Sequence, residues 1–334
     1  MKKQSKVLKT ILIIILLLPL VISWLPEKLY YDLREERKVQ TYPDGTPVMI
    51  QNTDENGDPV FEEDGTPQMV VSLKKEVTVR SFIPQSLFEN EEKSEREVKE
   101  DYFGFLKFLD QVFVSFRKLS LILVSTLICA MIFSVVLGYL SVLSMGAGRT
   151  FSNILSAFES IPSIIIALFC YVPVSGVLSN GKATTSAWVS LLVFVAAATV
   201  TVLPEAVRSI SIPLSDLYNR KYSVSFRSYG FTKNRILSVL MRTSLMKDTL
   251  KRVAAGILLK TLVLDTSFGY VVQLGFGENG SPQHTSPGSL IAAYRSAIFG
   301  SSDYPSLYFW IPALIVIAIS VAFLMILGKK QEAD

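Results

Sequence analysis

Three ionisable residues sit in apolar surroundings: Glu159 in ESIPSIIIAL, and Lys260 and Asp265 in GILLKTLVLDTSFGYVV. A charge at membrane depth is costly, so it usually faces protein or water rather than lipid. Two readings stay open for this trio: the residues line a polar translocation path or pair across subunits, or they are paired internally and touch no solute. Lys260 and Asp265 are five positions apart in the chain and do not share a helix face closely. A calcium loop is suggested by TDENGDPVFEEDG, with Asp54, Asn56 and Asp58 at alternate positions. The sixth and twelfth places, however, hold Pro59 and Gly65 where glycine and glutamate are needed. Cys129 and Cys170 lie in apolar blocks and read as packing residues, and the single histidine, His284, lies in a Gly/Pro/Ser loop. No G-x-x-x-x-G-K-[ST] phosphate loop, H-E-x-x-H pair or nucleophile with a base is visible. The sequence therefore predicts no catalytic residue, metal or cofactor.

The elements that must position these residues are apolar blocks. Residues 10–25, 119–144, 151–175, 185–203, 253–272 and 308–327 each approach the length of about 20 helical residues needed to cross a hydrocarbon core. The expected fold is an all-α polytopic membrane protein with about six transmembrane helices. The first block follows a basic start, MKKQSKVLK, as a signal peptide would, but VISWLPEKLYY offers bulky residues where a peptidase needs small ones. Residues 1–25 are expected to be an uncleaved anchor.

Charge sets the expected orientation, because Lys and Arg accumulate in cytoplasmic loops. Residues 205–252 carry ten Lys or Arg against three Asp or Glu, whereas 25–115 carry eleven against twenty. With the former inside and the latter outside, both termini are cytoplasmic. Such a protein would be a multi-pass protein of a cell membrane.

The segment 26–111 is then an extracytoplasmic insertion after the first helix. It repeats itself in DGTPVM, NGDPVF and DGTPQM, where Asp44-Gly45, Asn56-Gly57 and Asp64-Gly65 are tight-turn centres. Short strands over 48–51, 60–62 and 68–73 would make a small β-hairpin-rich module, either a partner-binding unit or a spacer. Beyond it, 89–113 reads as a helix with Tyr102, Leu106, Leu109 and Phe113 at helical spacing, lying along the outer interface and leading into the second span.

From Pro204 to Arg252 the chain mixes basic residues with Ile236, Leu237, Leu240 and Leu245 at helical spacing. One or two amphipathic helices across the cytoplasmic face would fit this pattern, as would a solvated, lipid-touching loop. The stretch resembles the cytoplasmic coupling loop of the permease subunits of binding-protein-dependent ABC importers of the oligopeptide, dipeptide and nickel type. That family carries Tyr, Val, three variable positions, Arg, two more and Gly, then a polar residue and a basic helix. In YSVSFRSYGFTKNRI, Tyr222, Arg227 and Gly230 take those places ahead of Lys233 and Arg235, with Arg208 at an upstream arginine. The resemblance extends over about 112–330, through VSFRKLSLILVSTLICAMIFSVVLGYLSVL, the proline of ESIPSIIIAL, LDTSFGYVVQLGFGENG, SPGSLIAAYR and DYPSLYFWIPALIVI. The chain departs from the pattern at Phe226 and Ser228, where small residues are usual, at Tyr229, where a basic one is, and in lacking a proline near 245–249.

The resemblance implies a translocation subunit, not an enzyme, importing peptides or similar small solutes. Its partners would be separate ABC ATPases, a second permease in a heterodimer, an extracytoplasmic solute-binding protein and membrane lipid, with no nucleic acid. Gly230 would permit a close turn and Arg227 would meet an ATPase carboxylate, or else a phospholipid headgroup. The competing reading is a membrane receptor or assembly protein whose outer module binds a partner without transport.

Overall fold

The computed structural model describes residues 2–26, 32–40, 46–51, 67, 69–89, 94–144, 150, 154, 157–175, 187–272, 286–299 and 305–328. The Asp-Gly and Asn-Gly turn centres, the strand expected over 60–62, the Asp54–Asp58 cluster and His284 lie outside the described residues. Among those described, the helices are α1 (Lys2–Ile22), α2 (Glu95–Leu143), α3 (Ser163–Ser175), α4 (Ala187–Asn219), α5 (Lys221–Ser228), α6 (Lys233–Met241), α7 (Ser244–Val272), α8 (Pro287–Ala293) and α9 (Leu307–Leu327). The chain is a mostly helical membrane protein.

Among the described residues four helices are long and apolar enough to cross a membrane: α2, α4, α7 and α9. The expected six is thereby corrected among the described residues. The apolar part of α1 covers only Val7–Ile22, and α3 has 13 residues, about 20 Å at 1.5 Å per residue against a core of about 30 Å. Pro162 cuts the third apolar block, because the residue before a proline is pushed out of the α region. α3 accordingly starts at Ser163 rather than near 151.

The chain divides into two compact units, Leu25–Asp110 and the combination of Met1–Trp24 with Gln111–Asp334. In the smaller unit β1 (Asp32–Val39) pairs antiparallel with β4 (Leu73–Arg80), Asp32 opposite Arg80 and Val39 opposite Leu73. Within the span these two enclose, β2 (Met49–Gln51) pairs with β3 (Met69–Val71). β2 and β3 fall in stretches where strands are expected, but they are joined across the repeats rather than between successive ones. β1 was not legible as a strand, because DLREERKV is too charged to alternate cleanly, whereas β4 carries a short alternation in EVTVR that sequence reasoning passed over.

α2 begins with a capping box: the Ser94 backbone N–H donates to the Glu97 carboxylate at 2.9 Å, and the Glu97 N–H donates back to Ser94 Oγ at 3.4 Å. It then runs unbroken for 49 residues, so the interfacial helix expected over 89–113 is the first part of the spanning helix itself. Within the smaller unit its Tyr102 hydroxyl donates to the Ile83 carbonyl at 2.8 Å, and Phe88 packs on Tyr102 and Phe105.

In the larger unit two apolar clusters knit the spans together. One joins Ile122 of α2, Tyr171 of α3, Phe194 of α4, and Leu264 and Phe268 of α7. The other joins Ala130 of α2, Ile210 and Leu214 of α4, Leu237 of α6, and Val253 and Ile257 of α7. α8 seats against α7 where glycines permit close approach: a Cβ on Gly288 would stand 1.9 Å from the Thr266 carbonyl oxygen, and one on Gly269 would stand 1.8 Å from Ser286 Oγ. Trp24 Nε1 donates to Ser120 Oγ at 2.7 Å and Arg117 Nε donates to the Ser23 carbonyl at 2.9 Å, tying the end of α1 to α2.

Candidate functional site

The expected inner loop is shorter than its sequence suggested. α4 continues through Pro204 and Pro213 to Asn219 and α7 starts at Ser244, leaving α5 and α6 as a short helical pair between two spans. α6 is amphipathic towards protein. Ile236, Leu237 and Leu240 are buried in the cluster with Leu214 and Val253, whereas Leu245 remains exposed.

The turn between α5 and α6 is a Schellman motif. The Phe231 N–H donates to the Phe226 carbonyl at 3.2 Å and the Gly230 N–H to the Arg227 carbonyl at 3.0 Å. Gly230 takes φ 80°, the left-handed conformation that glycine adopts without a Cβ penalty. The apolar contact that accompanies such a cap is present as well, Phe226 and Phe231 meeting edge to face at 5.7 Å.

The basic residues of the motif each lie against an aromatic ring, Arg227 and Arg235 while exposed and Lys233 half-buried. The Arg227 guanidinium stands 4.7 Å from the Tyr218 ring centre, and Lys233 stands 5.4 Å from the same ring. Lys233 also donates to the Leu143 carbonyl at 3.0 Å, tying α6 to the end of α2. Arg235 lies over Phe231 at 4.9 Å, and the Tyr139 hydroxyl bonds Asn234. Tyr222 falls in the first turn of α5. The tip is largely apolar: Tyr229 is 80% exposed, and Phe226, Phe231 and Val224 are also exposed, beside the exposed Arg227 and Arg235.

The four residues Glu159, Arg208, Lys260 and Asp265 separate into two places. Arg208 Nη1 lies 3.6 Å from Glu159 Oε2, and Lys260 pairs with Glu205. Glu205 and Arg208, three apart on one face of α4, thus carry one ion pair each. Both border a cleft of about 490 Å³ between α4 and α7, lined also by Ser209, Arg252 and Leu327. The side chains of the Lys260–Glu205 pair are 43% and 49% exposed. Open charges on helices that span a membrane call for a covering of water or protein. Asp265 belongs elsewhere. It is fully buried, and both its carboxylate oxygens lack a hydrogen-bond partner among the described residues. No group of three or more His, Cys, Asp or Glu that could hold a metal is found among them.

No family model matches the chain, and no curated protein matches it.

Sequence reasoning missed Glu205 as the partner of Lys260 and Tyr218 as the ring beneath Arg227. The first had a signal, since Glu205 and Arg208 are spaced to share a face. The second had none, because Tyr218 and Arg227 are brought together only by the break at Arg220 between α4 and α5. The capped turn was legible in FRSYGF, with glycine one place past a helix end between two aromatic residues.

Proposed function

We propose that this chain is the membrane-spanning permease subunit of an ABC-type importer, driven by ATP hydrolysed on separate subunits. The observation that carries the reading is the α5–α6 pair, two short helices joined by a glycine-capped turn and braced against three spanning helices. Such a pair can pass a rigid-body displacement from a partner to the bundle, because its contacts with Leu143, Tyr218 and the α4–α7 core are packed rather than flexible. The α4–α7 cleft with its two ion pairs is the polar surface along which a solute, or a second permease, would sit. On this reading the ATPases act at the cytoplasmic face, both termini are cytoplasmic, the membrane is a bacterial plasma membrane, and the smaller unit lies outside, facing a solute-binding protein.

The exposed residues of the turn are the part of this pair that an ATPase would meet. On this reading Lys233 braces the turn through the Leu143 carbonyl, and the exposed tip, with Tyr229, Phe226 and Phe231 beside the exposed Arg227 and Arg235, makes the contact with the ATPase. A photo-crosslinking residue at position 229, activated in native membranes, tests this. The expected adduct is an ABC ATPase. Adducts to lipid alone, or to a protein without a nucleotide-binding fold, would sink the reading and favour a receptor or assembly role.

A further inference from the structure

The cleft of about 490 Å³ is built from one stripe of each of two spanning helices. From α4 it takes Glu205, Arg208 and Ser209, and from α7 Arg252, Gly256 and Lys260, spaced at the three and four positions that share a helix face. Among the described residues that line it, three cations stand against one carboxylate. That carboxylate, Glu205, is committed to Lys260. Arg208 and Arg252 both lie on the α5–α6 side of this neutral pair, because α4 runs on from Glu205 to Asn219 and α7 climbs from Ser244 to Lys260. Glu159 reaches Arg208 from outside the lining, at 3.6 Å, too long for a hydrogen bond. The Arg208 side chain is 61% exposed.

The cleft is amphipathic along its length. Its basic end adjoins the exposed Lys251–Asp248 pair in the first turns of α7, where the helix meets a polar surrounding. From there towards Lys260 the lining turns apolar, with Val253, Ile257 and Leu327 of α9. Gly256 keeps this part open: a Cβ added there would meet nothing nearer than Leu327 Cδ2 at 3.9 Å.

We propose that the α4–α7 cleft binds one anionic phospholipid, with its phosphate at Arg208 and Arg252 and its acyl chains along Gly256, Ile257 and Leu327. Guanidinium forks match phosphate oxygens in geometry as well as in charge, and basic pockets between spanning helices suit anionic headgroups. A soluble oxyanion would satisfy the guanidiniums and leave the apolar lining bare. A second copy of this chain, meeting the first cleft to cleft, would set like charges together. A phospholipid brings both chemistries in one molecule. The inference needs only that α4 and α7 span a bilayer, not that the chain is a permease, and a lipid so held competes for the cleft with a solute or a second permease.

The test uses the full-length protein, delipidated in detergent, with phosphatidylglycerol or phosphatidylcholine of the same acyl chains added back, and inorganic phosphate alone as a third arm. Native mass spectrometry counts bound lipid, and thermal unfolding reads its effect. The expected result is one phosphatidylglycerol per chain with a saturable rise in Tm, and phosphatidylcholine bound about tenfold more weakly. Arg208→Gln and Arg252→Gln should each weaken phosphatidylglycerol binding roughly tenfold. Gly256→Leu fills the cleft, leaves every charge in place and suits a helix better than glycine. It should exclude the lipid without lowering the Tm of the lipid-free protein, and it decides the matter should either arginine variant fail to fold. Equal binding of the two lipids overturns the proposal, as does phosphatidylglycerol binding unchanged in Gly256→Leu. Inorganic phosphate that raises Tm as far as phosphatidylglycerol does also overturns it, assigning the cleft to a soluble oxyanion.

Discussion

Replacing Gly230 separates the backbone role of the α5–α6 turn from its role as a docking surface. At φ 80° a residue with a Cβ costs about 1–2 kcal/mol, and a Cβ built there meets nothing within 4 Å. No steric term at the Cβ adds to the conformational one. Against a total stability of about 5–15 kcal/mol, the folded and inserted population should hardly change. Asparagine tolerates the left-handed conformation better than other residues with a side chain, so Gly230→Asn should cost least. Gly230→Trp carries a similar backbone penalty to Gly230→Ala but projects an indole from the tip beside Tyr229. Membrane abundance and thermal stability, measured with co-purification of ATPases, distinguish the effects. All three variants should insert at near wild-type levels, with Asn and Ala retaining ATPase association and Trp losing it. If Trp retains association and uptake, the tip is not a docking surface. If Asn loses them as fully as Trp, the turn acts through its backbone conformation alone.

Further perturbations test the scaffold and the cleft. Leu237→Ala removes a fully buried side chain from the cluster joining α6 to α4 and α7, and should destabilise the protein by about 2–5 kcal/mol in thermal unfolding; a loss below about 1 kcal/mol would mean that α6 is not braced on the bundle. Gly288→Ala should release α8 from α7, because its Cβ would meet the Thr266 carbonyl oxygen at 1.9 Å, and proteolysis between 273 and 299 should accelerate. Glu205→Gln and Lys260→Met should each lower the yield of folded protein by leaving one charge unpaired at membrane depth, and the double variant should recover it; a double variant no better than either single one would deny the pair. Deleting residues 42–72 removes β2 and β3 but leaves the β1–β4 register intact. Unchanged uptake and complex recovery would make the repeats a spacer, whereas loss of a solute-binding partner would make them a contact surface.

Much of the helical framework was legible because its signals are local. Long apolar runs with few charges mark α2, α7 and α9; Ser94 and Glu97 mark where α2 starts; the apolar spacing at 236, 237 and 240 marks the face that α6 buries. Hydropathy overcounted the spans, because a window sums composition without registering that Pro162 ends one conformation before α3 begins another. The β1–β4 pairing was invisible for a different reason: its partners are far apart in the chain, and β1 is too charged to show a polarity pattern.

For the ionisable residues, sequence alone established that Glu159, Lys260 and Asp265 stand in apolar blocks, and that a charge so placed needs a partner, water or an ion. It could not say which. Only tertiary packing gave Lys260 of α7 its carboxylate on α4, brought Glu159 to Arg208 of α4, and left Asp265 enclosed with no hydrogen-bond partner among the described residues. A residue's type fixes the cost of burying it, but the partner that offsets the cost stands on another helix, and helix-to-helix contact is a property of the fold.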